Sequence, residues 1–207
     1  MNKRNALKLI VGSAGWAGAA ATLGLGLSAC SEPKPSFSAV DITGADYAKD
    51  FSLKDADGKV RTMADFKGKV VVLFFGYAQC PDVCPTTMTE MAQVKQQLGS
   101  DADKLQVVFV TVDPARDTPE VLKAYMGAFD PAFVALIPTP EQLAATAKDF
   151  KVYYKKVEGK TPTSYSMDHS AASFVYDTEG RVRLYARYGT GPQALADDLK
   201  QLLAASA

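Results

Sequence analysis

The segment at residues 69–77 reads KVVVLFFGY, and this unbroken run of aliphatic and aromatic side chains decides the fold. Such a run is typical of a strand buried on both faces of a sheet, whereas a strand with one wet face alternates between apolar and polar residues. A second run, QVVFVTV at residues 106–112, has the same character, and residues 133–137 form a third candidate strand. The sequence therefore predicts a sheet whose central strands are covered on both sides.

Helical segments separate these predicted strands. Apolar residues recur at helical spacing between residues 82 and 98, where Met88 and Met91 are expected to face the core rather than bind a metal. The triplets Thr118-Pro119-Glu120 and Thr139-Pro140-Glu141 each provide an N-cap, a proline at the first helical position and an early acid. Alternation of strand and helix predicts a mostly parallel sheet with helices on both faces.

Hairpins are predicted at both ends of this alternating region. Asp57-Gly58 is a turn signal between two short strand patterns, and residues 177–180 (DTEG) separate strands at 173–176 and 182–186. An amphipathic helix over residues 192–203 closes the chain. The predicted fold class is an α/β, thioredoxin-like three-layer sandwich with a mixed, mostly parallel sheet and an N-terminal β-hairpin.

The N-terminal region is typical of an exported protein. A basic start precedes an uncharged run from Leu9 to Ala29, and Leu27-Ser28-Ala29-Cys30 resembles the bacterial lipobox, in which the cysteine is lipidated. The predicted organisation is a lipoprotein signal peptide at 1–29, a lipid-anchored flexible tether at 30–45 and the folded domain at 46–207. A plain transmembrane anchor over residues 9–29 is the alternative. Either anchor places the domain on the periplasmic face of a bacterial membrane.

Charge excludes one large class of function. Removal of residues 1–29 leaves 20 basic and 23 acidic residues, a net charge of −3. Nucleic-acid binding needs a concentrated basic surface, which this balance does not indicate. With 207 residues in all, the chain has room for one domain of ordinary size.

Two cysteines follow the first central strand in the sequence Cys80-Pro-Asp-Val-Cys84-Pro. Ligands of α/β sheets bind at the carboxyl ends of strands, and a helix starting near Pro81 puts the two sulfurs one turn apart. Amides at a helix start favour negative charge, so we expect lowered thiol pKa values and thiolates near neutral pH. The alternative is an inert disulfide, which between such close positions contributes little stability.

The only histidine of the chain, His169, precedes the predicted strand at 173–176. In a thioredoxin topology, the loop before that strand faces the start of the first long helix, so His169 is aimed at the cysteine pair. Two soft thiolates and one imidazole suit copper, as Cu(I) or Cu(II), better than a hard cation. Zinc ordinarily takes a fourth protein ligand in structural sites, and no second histidine is present.

Three motifs together resemble those of the Sco (SenC) family: the CPDVCP segment at 80–85, VDPARDTP at 112–119, and Asp168-His169-Ser170. The resemblance extends from about residue 40 to the C-terminus. It implies a copper-binding assembly factor for the binuclear copper centre of cytochrome c oxidase, with Cys80, Cys84 and His169 as ligands. By position, Asp113 and Asp168 become supporting residues; the lipobox-like signal departs from the family's usual transmembrane helix.

The sequence leaves alternatives for the roles of several residues and for the function. Asp168 can accept a proton from the His169 ring or only cap a turn, Asp113 can belong to a plain Asp-Pro turn, and Arg116 can be a solvated charge. A thiol-disulfide oxidoreductase is the main rival function, although its CxxC spacing and the proline before the late strand are missing. A peroxiredoxin fits the motif poorly. A copper sensor or buffer, which hands its metal to no partner, uses the same ligands. For a chaperone, the partner is the copper-centre subunit of the oxidase or another periplasmic copper protein.

Overall fold

The computed structural model describes residues 36–161 and 164–205. The predicted signal peptide, Cys30 and the first residues of the predicted tether lie outside the described residues. Within the described ranges, no helix combines the length and the apolar character needed to cross a membrane.

The strands and helices follow the predicted alternation, with additions. The strands lie at Val40–Asp41 (β1), Leu53–Asp55 (β2), Val60–Arg61 (β3), Val70–Gly76 (β4), Leu105–Thr111 (β5), Val134–Ile137 (β6), Tyr154–Glu158 (β7), Tyr165–His169 (β8), Ser173–Tyr176 (β9) and Val182–Ala186 (β10). The α-helices lie at Val83–Gln97 (α1), Pro119–Gly127 (α2), Pro140–Asp149 (α3) and Pro192–Ala204 (α4).

The main sheet has the strand order β1-β10-β9-β4-β5-β6-β2-β3. Every residue of β4 and β5 is buried, and the two strands pair in parallel, with Val72 opposite Val107. Strand β6 continues the parallel pairing beside β5, and β9 is antiparallel to β4 on its other side. The prediction of a thioredoxin-like mixed sheet with central strands buried on both faces is therefore confirmed.

The predicted N-terminal hairpin forms one edge of the sheet. Strand β2 pairs with β3 and, on its other side, antiparallel with β6. The buried Asp55 fixes the turn because its carboxylate accepts hydrogen bonds from the backbone amides of Asp57 and Lys59, each at 2.9 Å. Gly58 has a φ of 81°, a left-handed conformation that glycine adopts without steric cost.

Helices α2 and α3 begin where the sequence predicts. The hydroxyl of Thr118 accepts from the amide of Val121 at 3.3 Å, and that of Thr139 accepts from Gln142 at 3.2 Å, so both threonines cap the helices that follow them. In α1, Met88 is fully buried and Met91 is 3% exposed, as expected for core residues. Helices α1 and α4 pack against each other.

Residues 36–45 differ from the predicted flexible tether. The backbone amides of Ser38 and Ala39 each donate to the carboxylate of Asp198 in α4 at 2.9 Å, and Asp198 is 1% exposed. Strand β1 then pairs antiparallel with β10. The folded region therefore starts about ten residues before the predicted boundary at 46. Composition alone missed this because the contacts come from a helix 160 residues away.

A second, two-stranded sheet also departs from the prediction. Strands β7 and β8 pair only with each other, with Tyr154 opposite His169. Four of the five residues of β7 are exposed, so the segment lacks the apolar alternation by which a strand is recognised. His169 is consequently the last residue of a strand rather than part of a loop.

Candidate metal centre

Cys80 and Cys84 lie at the carboxyl end of the buried strand β4, as predicted. Helix α1 begins at Val83, two residues later than expected, so Cys80 belongs to the preceding loop and Cys84 to the first helical turn. The backbone amide of Cys84 donates to the sulfur of Cys80 at 3.4 Å. The two thiols are not bridged by a disulfide. The first turn of the helix thus holds one sulfur and points an amide at the other.

The two sulfurs have different surroundings. Cys84 is completely buried, whereas Cys80 is partly exposed. Burial raises the pKa of the Cys84 thiol far above its ordinary value, so the expectation of a lowered pKa at the helix start is wrong for this residue. The apolar core beneath the helix disfavours the thiolate more than the helix amides favour it. A metal ion must therefore displace the proton of Cys84 in order to bind.

Space for the Cys84 sulfur is left by Gly76, the last residue of β4. A Cβ atom at this position would lie 2.9 Å from the Cys84 sulfur, 2.7 Å from a ring carbon of Phe74 and 2.9 Å from one of Phe109. Separations below 3.0 Å require atoms to move, and these neighbours are packed core groups. A glycine is therefore needed here for close packing rather than for backbone freedom.

His169 meets the cysteines from the second sheet. Its Nε2 lies 3.4 Å from the Cys84 sulfur, and the ligand atoms of Cys80, Cys84 and His169 all lie within 4.8 Å of one another. The ring makes edge contacts with Phe74 and Tyr77, each at a centroid distance of 5.8 Å. The expectation that the sole imidazole reaches the cysteine pair agrees with this geometry.

Hydrogen bonding and burial prepare the imidazole as a ligand. Its Nδ1 lies 3.0 Å from the carbonyl oxygen of Ser170, which can only accept, so Nδ1 carries the proton and Nε2 presents its lone pair to the sulfurs. Burial lowers the pKa of His169, with smaller opposing contributions from Ser170 and Asp168, and therefore favours the neutral ring that a metal requires.

The two expected supporting aspartates differ in the structure. Asp168 is exposed, and the ring's Nδ1 has Ser170 rather than Asp168 as its partner. Asp113 is 4% exposed, and its carboxylate accepts from the guanidinium of Arg116 and, at 2.8 Å, from the hydroxyl of Tyr165. Asp113 thus contacts the strand that carries His169 rather than the sulfurs.

Sequence reasoning missed or misjudged several residues around the site. Arg116 is 17% exposed and packs on the Tyr165 ring, with 3.5 Å from its guanidinium carbon to the ring centroid, so the interpretation as a solvated charge is wrong. The buried carboxylate of Asp117 accepts from the amide of Ala78, in the loop that leads to Cys80. Both residues lie in the 112–119 motif, and this motif is the feature of the sequence that could have identified them as part of the site.

Comparison with known proteins places this site in a family. A model of the SCO1/SenC family matches residues 40–204. The chain belongs to the SCO1/SenC family. A SCO2-like protein of Rickettsia felis is 33% identical over 152 residues, which make up 73% of this chain and 74% of that protein.

Two solved structures from the family cover most of the described region. ScoI of Bradyrhizobium japonicum with copper bound is 40% identical, with a TM-score of 0.67, and the match covers 74% of this chain and 97% of that one. The apo Sco1 protein of Thermus thermophilus is 36% identical, with a TM-score of 0.72 and coverage of 81% and 97%. Sco proteins therefore share both the fold and most of the length of this domain.

Proposed function

We propose that this chain binds one copper ion through Cys80, Cys84 and His169 and acts as a metallochaperone in the assembly of the binuclear copper centre of cytochrome c oxidase. The observation that carries the proposal is the convergence of the three ligand atoms within 4.8 Å. Ligands at the distances found in zinc sites, about 2.0–2.3 Å from the ion, lie at most about 4.6 Å apart, so an ion of similar size needs only a small contraction of the site. Two thiolates and an imidazole suit copper.

The protonation states of the ligands couple metal binding to proton release. His169 is favoured in its neutral form, whereas burial raises the pKa of the Cys84 thiol, so metal uptake releases a proton and release of the metal can recover it. Cys80 is partly exposed and is the sulfur that a ligand of the recipient can approach. Transfer then proceeds by exchange of ligands at the open side. The copper bound in the Bradyrhizobium relative supports this proposal.

Binding is tested by anaerobic titration of the reduced full chain with Cu(I) against a competing chelator. One equivalent is expected to bind, and Cys80→Ser or Cys84→Ser is expected to abolish binding. Loss of an outer partner of a ligand costs about 10–100-fold in affinity, so His169→Ala should cost more than about 100-fold. Cys30→Ser is the matched control and should bind normally. Equal affinity with and without the imidazole would overturn the three-ligand site.

The recipient is tested in cells by deleting the gene and measuring cytochrome c oxidase activity with and without added copper. A defect that copper rescues identifies delivery of the metal to the oxidase copper-centre subunit. Unchanged oxidase activity would favour another periplasmic copper protein as the recipient, or a buffering role without a recipient.

A thiol-disulfide oxidoreductase is the second candidate, and the unequal exposure of the cysteines favours it. Cys80, partly exposed, would attack a disulfide of the oxidase copper site and form a mixed disulfide, releasing one thiol of the partner. The buried Cys84 would then attack Cys80, releasing the second thiol and leaving this chain oxidised. A deletion defect rescued by an added thiol reductant, and not by copper, would identify this activity. His169→Ala should leave such exchange intact.

The lipid anchor at Cys30 is part of the proposal, together with the periplasmic face of the membrane as its location. Small residues immediately before the cysteine support it. Labelled fatty acid should enter the wild-type chain and be absent from Cys30→Ala. Membrane attachment without label in the wild type would instead favour the transmembrane anchor.

A further inference from the structure

One side chain contacts both halves of the proposed copper site. The Nη1 of Arg116 donates to the carbonyl oxygen of Tyr165 at 2.9 Å, at the start of strand β8, and to the side-chain oxygen of Gln79 at 3.2 Å, next to Cys80. The guanidinium also stacks on the Tyr165 ring and lies 5.8 Å from the centroid of the Tyr77 ring. Arg116 therefore bridges the cysteine loop and the strand that ends in His169.

Arg116 is itself fixed by the loop after β5. Its Nε forms an ion pair with the carboxylate of Asp113, and that carboxylate also accepts from the hydroxyl of Tyr165 at 2.8 Å. The amide of Asp113 donates to the hydroxyl of Thr111 at 2.9 Å, which anchors the loop to the last residue of the central strand. A planar guanidinium held in this way presents its donors in one orientation, which a lysine cannot reproduce.

The position of Tyr165 determines where His169 lies. The partly buried residues of β8 are Tyr165, Met167 and His169. As alternate residues of a strand they share one face, which packs against the rest of the domain. The four residue-to-residue steps from Tyr165 to His169 span about 13 Å of extended chain. The side chain of Met167, midway along that span, packs against the hydrophobic core. Because β8 is held at Tyr165 and at Met167, its last residue, His169, has a defined position.

The Nη2 of Arg116 is buried and has no hydrogen-bond partner among residues 36–161 and 164–205. A buried unpaired donor costs free energy, and a functional role is one explanation for such an exception. We propose that Arg116 is a positioning residue for His169: its guanidinium holds the Tyr165 end of β8 against the cysteine loop, so that the imidazole faces the two sulfurs before any metal arrives. This rests on the proposed copper-binding function.

The test is a double-mutant cycle on Cu(I) affinity with Arg116→Lys and His169→Ala. Arg116→Lys should lower the affinity about 10–100-fold in the wild-type background, as loss of an outer partner does, and should have little further effect when His169 is already absent. Arg187→Lys, at an exposed arginine, is the matched control and should change nothing. An equal loss in both backgrounds would mean that Arg116 acts through the cysteine loop or the fold, and would overturn the proposal.

A second measurement needs no copper and separates this proposal from the proposed function. Amide hydrogen exchange in the apo protein should accelerate in β8 of Arg116→Lys while β4 stays unchanged. Unchanged exchange in β8 would overturn the positioning role even if copper binds. If the wild type fails to bind copper, the proposed function fails, and the exchange result still decides whether Arg116 holds the strand. Arg116→Met combined with Asp113→Asn removes the pair without leaving a buried lone charge, in case the lysine variant folds poorly.

Discussion

The two halves of the metal centre are built in different ways. The cysteine half, which comprises Cys80, Cys84 and the strand β4 before them, is continuous with the buried centre of the main sheet. The histidine half is the β7–β8 hairpin, a separate two-stranded sheet with a largely exposed outer strand. An isolated two-stranded hairpin is marginally stable in water. The position of the cysteine half is therefore fixed by the packing of the core, whereas the position of the histidine half depends on a few side-chain contacts.

Hydrogen exchange should give the largest difference between the two halves. Amides of β4 and β5 are expected to exchange only on global unfolding, because both strands are fully buried. Amides of the β7–β8 ladder should exchange through local opening, at least about 100-fold faster after correction for intrinsic rates. Exchange of the reduced apo protein followed by NMR measures this. Similar protection in both halves would mean that the hairpin is part of the cooperative core.

Gly76→Ala tests whether the cysteine half has room to adjust. The added methyl group would meet the Cys84 sulfur and two phenylalanine rings, so we expect a loss of about 1–3 kcal/mol in the free energy of unfolding, together with weaker copper binding. Urea unfolding and copper titration measure the two effects. Gly127→Ala is the matched control: this helical glycine has open space around it, and alanine there should be neutral or stabilising by about 0.5–1 kcal/mol. Equal unfolding free energies and copper affinities of the two variants would show that the residues around Gly76 move to accommodate a methyl group.

The pH dependence of apo stability should contain a contribution from the histidine half, which a variant of His169 removes. Burial lowers the pKa of His169 below its ordinary 6.5, so the unfolded chain takes up a proton at a higher pH than the folded one. Stability is therefore greatest above pH 6.5 and falls as the pH drops from there toward the folded value, by a few tenths of a kcal/mol for this partly exposed ring. Thermal unfolding from pH 5 to 8 measures it, and His169→Gln should flatten that part of the curve. A ring that titrates at or above 6.5 in NMR would contradict the prediction.

Of these substitutions, Asp168→Asn should change copper affinity the least. Asp168 is exposed and the imidazole proton is bonded to the Ser170 carbonyl, so removal of the charge should change copper affinity by less than about threefold. The same titration against a chelator measures this variant. A tenfold loss would show that Asp168 bonds the ring in the metal-loaded protein.

The sequence predicts the cysteine half well because local patterns define it. The run at 70–76 marks a fully buried strand, and the cysteines follow it at the edge where ligands of such sheets bind. The protonation of Cys84 was predicted with the wrong sign, because a motif specifies the helix start but not the depth of the core beneath it. Gly76 has no distinguishing pattern in the sequence, since its role depends on side chains from β5 and α1.

The histidine half was predicted in position but not in structure. His169 was placed by the topology of the fold, which brings the segment before β9 to the start of α1. The β7–β8 hairpin was missed because its residues are mostly exposed, and so was the inward packing of Arg116, because a charged residue after a strand is usually solvated. The packing of Arg116 depends on a contact between segments about 50 residues apart.

The buried carboxylate of Asp198 limits the distance between Cys30 and the folded domain, because it fixes the chain close to residue 36. It binds the amides of Ser38 and Ala39, and the side chain of Gln201 donates to the carbonyl of Ser36, so the chain is attached to α4 from residue 36 onward. Six residues of fully extended chain span about 20 Å. If Cys30 carries the lipid, residue 36 lies within about 20 Å of the lipidated cysteine, whatever path the chain takes between them.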